Sequence, residues 1–166
     1  LFFGISINSC KLGNSEIKVT VSLRNEIVKN VCSNVLPFWI DYAQAPDGGF
    51  YGTILRNGIP IEDAPRGGVL NARILWSFSA AYNTFNDNRY LEIANKSQRY
   101  FIDTFIDKIN GGVYWLINSD GEVLNASKYT YAMTYAIYGL AEHYLATKNK
   151  ESLEVAVNLY KTLEVK

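Results

Sequence analysis

The sequence predicts an all-α fold, an incomplete α/α toroid with short β-hairpins between its helices. Three observations carry that prediction. A pattern is duplicated: Asp47-Gly48-Gly49-Phe50-Tyr51 followed by Arg56-Asn57-Gly58 returns as Asn110-Gly111-Gly112-Val113-Tyr114-Trp115 followed by Ser119-Asp120-Gly121, 63 positions later. After a one-residue slip the match continues at an offset of 62, with Tyr82 answering to Tyr144 and Leu91-Glu92-Ile93-Ala94 to Leu153-Glu154-Val155-Ala156. Each copy also contains an apolar helix followed by a one-sided one. A period of this size marks a supersecondary unit that cannot bury its own apolar face and must stack on a neighbour.

The elements follow in order. Residues 1–21 match nothing later in the chain and read as a disordered arm or as translated sequence upstream of the true start. From Ser22 to about Tyr42, Ile27, Val31, Val35, Phe38 and Trp39 recur at helical spacing, and Pro37 should kink or divide that helix. Tyr51 to Ile61 reads as a hairpin turning at Asn57-Gly58. Val69 to Thr84 is apolar on nearly every face, as a helix buried all round requires. Asn88 to Asp107 is one-sided, with Tyr90, Ile93, Ser97, Tyr100, Phe101 and Phe105 in one stripe. The second copy predicts a hairpin at Asp120-Gly121, a buried helix from Tyr129 to Ala146, and a one-sided helix from Glu151 to Glu164 with Leu153, Ala156, Tyr160 and Leu163 inward. A buried helix alternating with an amphipathic one suits two concentric layers. A closed ring of six such hairpins needs roughly six times this period, so residues 22–166 read as the N-terminal part of a barrel. A short solenoid is the alternative.

Sixteen basic and sixteen acidic residues cancel, which argues against nucleic acid or an anionic membrane as partner. No apolar run reaches the ~18 residues of a membrane span. Cys10 and Cys32 are too few for a disulfide framework and read as reduced cytoplasmic thiols, Cys32 in a core. Twelve Tyr, eight Phe and three Trp suit either an aromatic core or a sugar-binding cleft, where rings pack on sugar C–H faces.

Arg73 is the sharpest candidate. Inside an apolar helix a guanidinium is costly unless it is paired or faces a polar cleft. It reads either as a fixed cation for an oxyanion or as a structural partner of Asp63 or Glu142. Tyr131 needs a hydrogen-bond partner, a substrate hydroxyl or another side chain. Trp115 is a candidate aromatic wall or a core residue. His143 is the only histidine, a poor metal site without companions. Asp47, Asp63, Asp107 and Asp120 form no convincing pair of the kind that inverting glycosidases use. No phosphate loop or cysteine metal spacing is present.

Several strings resemble cellobiose 2-epimerases of the N-acylglucosamine 2-epimerase superfamily. They are Leu36-Pro37-Phe38-Trp39, Asp47-Gly48-Gly49-Phe50-Tyr51-Gly52, Leu70-Asn71-Ala72-Arg73-Ile74-Leu75-Trp76, Phe78-Ser79-Ala80-Ala81-Tyr82, Gly111-Gly112-Val113-Tyr114-Trp115 and Tyr135-Ala136-Ile137-Tyr138-Gly139-Leu140-Ala141-Glu142. The resemblance covers residues 22–166. It implies an (α/α)6 barrel of about 400 residues that inverts C2 of a reducing-end aldose through a cis-enediolate, with two histidines moving the proton. It implies no metal or nucleotide cofactor. By the same resemblance Arg73 is the cation at the oxyanion, Tyr131 contacts substrate, and Trp115 is a weaker carry-over. The family's catalytic histidines lie beyond Lys166, His143 matches none of them, and the fragment alone is expected to be inactive. Met133 stands where the family leads one to expect glutamine. N-acylglucosamine 2-epimerase, mannose isomerase, an inverting glycosidase and a carbohydrate-binding module are the alternative readings.

Overall fold

The computed structural model describes residues 21–164. The expected arm over 1–21 therefore lies, apart from Val21, outside the described residues, as does Cys10. The chain divides into two compact units, one ending at Pro37 and one starting at Phe38.

In the first unit α1 (Val21–Asn30) buries none of its residues. It runs into a π-helical stretch, Val31–Val35, and then α2 (Leu36–Asp41) begins. The Leu36 N–H donates to the Val31 carbonyl, five residues back. Proline lacks an N–H and its ring crowds the carbonyl four residues before it, so a locally widened turn just ahead of Pro37 relieves both problems. The expected division is thus a π-turn. Cys32, expected in a core, is only half-buried.

The second unit carries the duplication. The first hairpin is reduced to one bridge, Ile54 to Pro60, around a turn in which Asn57 accepts from the Ile59 N–H and Gly58 has φ +84°. Then come β1 (Arg66–Gly67), α3 (Gly68–Phe85) and α4 (Asn88–Thr104). The second copy gives β2 (Leu116–Ile117), β3 (Val123–Asn125), α5 (Thr130–Thr147) and α6 (Lys150–Glu164). The strands form one antiparallel sheet in the order β1-β2-β3. Arg66 pairs with Ile117 and Gly67 with Leu116. The strand that leads into the first inner helix is thereby hydrogen-bonded to the second hairpin, a link between repeats that periodicity did not reveal.

α3 and α5 pack on each other, α4 packs on α3, and α6 on α5. Contacts between α3 and α5 rise together along both helices: Arg73 meets Tyr135, Trp76 meets Tyr138, and Asn83 meets Glu142. The two inner helices therefore run parallel, and the first two pairs join positions one repeat apart. Gly139 makes the approach possible, since a Cβ there would sit 2.5 Å from the Ala72 carbonyl oxygen. Each inner helix ends on a left-handed residue, Asn86 at φ 54° and Lys148 at φ 60°, which turns the chain back into the outer layer. The core joins Leu75, Phe101, Phe105, Val113, Ile117, Met133 and Leu140, all essentially inaccessible. Burying each such side chain contributes about 1.5–3 kcal/mol.

Two expectations need correction. Within the described residues α3 and α5 are not buried all round: Arg73 and Ser77 on α3, and Tyr131, Thr134, Tyr138, Ala141 and Leu145 on α5, are exposed. Each inner helix covers one flank of the other, which leaves a face of each open. α6 also sits rotated from its expected setting. Leu153 and Tyr160 are exposed, while Ser152, Ala156 and Leu159 are buried. Ser152 turns inward because its hydroxyl bonds to the buried His143. The stripe of α4 is buried as expected.

Candidate functional site

The open face of the inner helices brings Arg73 and Tyr131 together. Arg73 lies in the second turn of α3, where the helix offers it no carboxylate. Its guanidinium carbon stands 5.7 Å from the centroid of the Tyr135 ring. Tyr135, one turn after Tyr131 on α5, meets the Tyr131 ring edge-on at 4.9 Å. The Tyr131 phenol is held above its ordinary range, first by its hydroxyl contact with Tyr135, and the charge of Arg73 acts in the opposite sense. Arg73 is exposed, against the expectation of a guanidinium buried in the helix. No ion pair among the described residues joins Arg73 to Asp63 or Glu142; Glu142 accepts instead from the Asn83 amide at 2.6 Å.

Below Arg73, Trp76 and Tyr138 stack at 4.9 Å with their planes 12° apart. Trp115 stands at the start of the same helices. Its carbonyl accepts from the Gly68 N–H at the head of α3, and its ring meets Tyr129, the residue that caps α5, at 4.7 Å. Trp115 is half-buried and packs on the core, as its core reading expected. Met133 does not reach this face. It is 1% exposed, in the core against the Gly112 backbone, so the residue in the glutamine's place makes no contribution to the open surface.

His143 points the other way. It is fully buried, with Nε2–H donating to Asn95 Oδ1 of α4 at 3.0 Å and Nδ1 accepting from the Ser152 hydroxyl of α6 at 2.8 Å. Burial pulls its pKa down to about 4. It is a neutral pin between three helices, with no path to a substrate on the open face.

Two of the scattered carboxylates have structural roles that sequence reading missed. Asp47 holds the first Gly-Gly loop by accepting from the Gly49 N–H, and pairs with Arg66, which also donates to the Tyr100 hydroxyl at 2.7 Å. Asp107 holds the second loop by accepting from the N–H groups of Ile109 and Asn110, and pairs with Lys128 at 3.0 Å. The Asn110 N–H first, then Lys128, holds the Asp107 carboxyl well below the usual carboxylate range. Arg66 and Lys128 are 62 positions apart, the repeat offset, and that was the available signal. Asp63 and Asp120 are exposed. A concavity of about 520 Å³ lies on α4 among Asp47, Lys96, Arg99, Asp103 and Asp120, away from the Arg73 face.

Comparison with known proteins agrees with this architecture. Residues 49–166 match the model of the family N-acylglucosamine 2-epimerase (GlcNAc 2-epimerase). The chain belongs to that family. It is 43% identical over 143 residues to a cellobiose 2-epimerase of Bacteroides fragilis, covering 86% of this chain and 36% of the relative. It superposes on the cellobiose 2-epimerase of Bacillus thermoamylovorans with a TM-score of 0.84 at 33% identity, covering 87% of this chain and 37% of that one. A D-mannose isomerase shares the fold alone, with a TM-score of 0.76 at 20% identity over 84% of this chain and 36% of that one. The helices described above are thus part of an α/α toroid, and the chain spans little more than a third of the length of these epimerases. No helix among the described residues is long and apolar enough to cross a membrane.

Proposed function

We propose that this chain supplies the first inner-helix face of a cytoplasmic sugar 2-epimerase, which inverts C2 of the reducing-end aldose of a disaccharide such as cellobiose. The observation that carries the reading is Arg73, an exposed cation held on Tyr135 beside Tyr131 and joined to no carboxylate among the described residues. Removing the proton at C2 of an open-chain aldose puts negative charge on the C1 oxygen. A fixed cation at that oxygen stabilises the cis-enediolate more than the substrate, so it lowers the barrier. Tyr131 offers a hydroxyl to a sugar hydroxyl, and Trp115 and Tyr129 offer ring faces to its C–H surface. The proton must leave one face of C2 and return to the other, which takes two bases. His143 is pinned in the core, so these bases are expected from the part of the barrel after Lys166, where the family resemblance puts two histidines. The reading requires no metal or nucleotide. Engagement of Asp47 and Asp107 in ion pairs weakens a glycosidase reading.

Incubating the complete gene product with cellobiose in deuterium oxide tests the proposal. The expected product is a disaccharide with a mannose reducing unit and deuterium at C2. A ketose product points to an isomerase, and released glucose to a glycosidase; either one overturns the epimerase reading, whereas turnover confined to N-acylated hexosamine overturns only the disaccharide as substrate.

A further inference from the structure

The inner face of the second repeat has a feature of its own. Tyr135 occupies, one repeat on, the position that Arg73 holds in the first, since the two are 62 residues apart. Parallel inner helices at one height bring equivalent positions face to face, and here the pair is a cation and a ring at 5.7 Å. The ring is itself anchored: Tyr135 is half-buried and packs on the core, and its other neighbour is the edge of Tyr131 at 4.9 Å. Arg73 has four rotatable side-chain bonds, so a guanidinium without support would sample many positions. A catalytic cation helps only if it is in place before charge develops.

We infer that Tyr135 is a positioning residue, whose ring face holds the Arg73 guanidinium at the place where the enediolate oxygen forms. This inference rests on the proposed role of Arg73. The cation–π contact constrains Arg73 without neutralising it, whereas a carboxylate would compete with the oxyanion for the same charge. The division of labour across the repeat is therefore one position used twice, once for the charge and once for its support.

The test uses the complete enzyme with cellobiose. Y135L and Y135M remove the ring and keep apolar volume against the core. Each is expected to lower kcat about tenfold with KM changed less than about twofold. Y135F keeps the ring and is expected to restore kcat to within about threefold of the parent. In an R73M background, Y135L is expected to cost nothing further, because the group it positions is gone. Equal losses from Y135L with and without Arg73, or a Y135F as poor as Y135L, overturn the inference. So does the failure of both ringless variants to fold, which would make Tyr135 a packing residue. If R73M itself leaves kcat unchanged, the reading of Arg73 falls; if R73M is slow and Y135L is not, only the role of Tyr135 falls.

Discussion

The two repeats differ more on one side than on the other. Where the Gly-Gly loops meet the strands, they are near copies: Arg66 with Asp47, Lys128 with Asp107, each a basic residue just before an inner helix reaching back to the carboxylate that ties its loop. On the inner face the copies diverge. Arg73 answers to Tyr135, Val69 to Tyr131, and Trp76 to Tyr138. Inside the second repeat a buried His143 stands where the first has a buried Ala81. Loop and helix ends must meet the same geometric demand in every repeat, because each must deliver the chain into the next inner helix. The inner face carries no such constraint, and that is where the charge and the rings have been placed.

The ion pairs are alike in position but not in which partner is buried, and this sharpens the comparison. Arg66 is 5% exposed and Asp47 43%, whereas Asp107 is 3% exposed and Lys128 19%. D47A leaves a buried guanidinium with only the Tyr100 hydroxyl, so it is expected to cost about 3 kcal/mol in urea unfolding, less than a fully buried pair because Asp47 is partly screened by solvent. A cost below about 1 kcal/mol would show that water replaces the carboxylate.

The second effect belongs to the second repeat alone. His143 is neutral and buried with a pKa of about 4, against about 6.5 for the unfolded chain. Its contribution is fully present above about pH 6.5 and is lost as pH falls through about 4, because the unfolded state takes the proton first. The expected loss is on the order of 3 kcal/mol. Urea midpoints that stay level from pH 7 to 4 would contradict it.

The smallest effect is expected from K128M. Asp107 would keep its N–H donors from Ile109 and Asn110, so the cost should be about 2 kcal/mol, less than that of D47A. The reverse ranking would mean that the second loop depends on its lysine more than on its backbone donors.

Much of this was legible in the sequence. The duplication located the helices and hairpins, because periodicity and Asx-Gly turns are local signals. The stripe of α4 was read correctly for the same reason. Exposure of Arg73 was not legible, since whether a residue on an apolar helix is covered depends on its neighbours and not on its own helix. The setting of α6 was misread because Ser152 is polar, and only its bond to His143 explains its burial. β1 is two residues long and has no pattern of its own. The equivalence of Arg66 and Lys128 was within reach: comparing charged residues at the repeat offset would have found these two, as it would have found Tyr135 opposite Arg73, but not their partners, since Asp47 and Asp107 are 60 positions apart.

The central claim is that the first repeat's inner face contributes the cation of a C2 epimerisation, and turnover of the R73M variant of the complete enzyme on cellobiose tests it most directly. The account predicts a kcat about 10²–10³-fold lower, as for loss of a preorganised oxyanion-stabilising group, with an unchanged melting temperature. An R73M enzyme that turns over like the parent would contradict it.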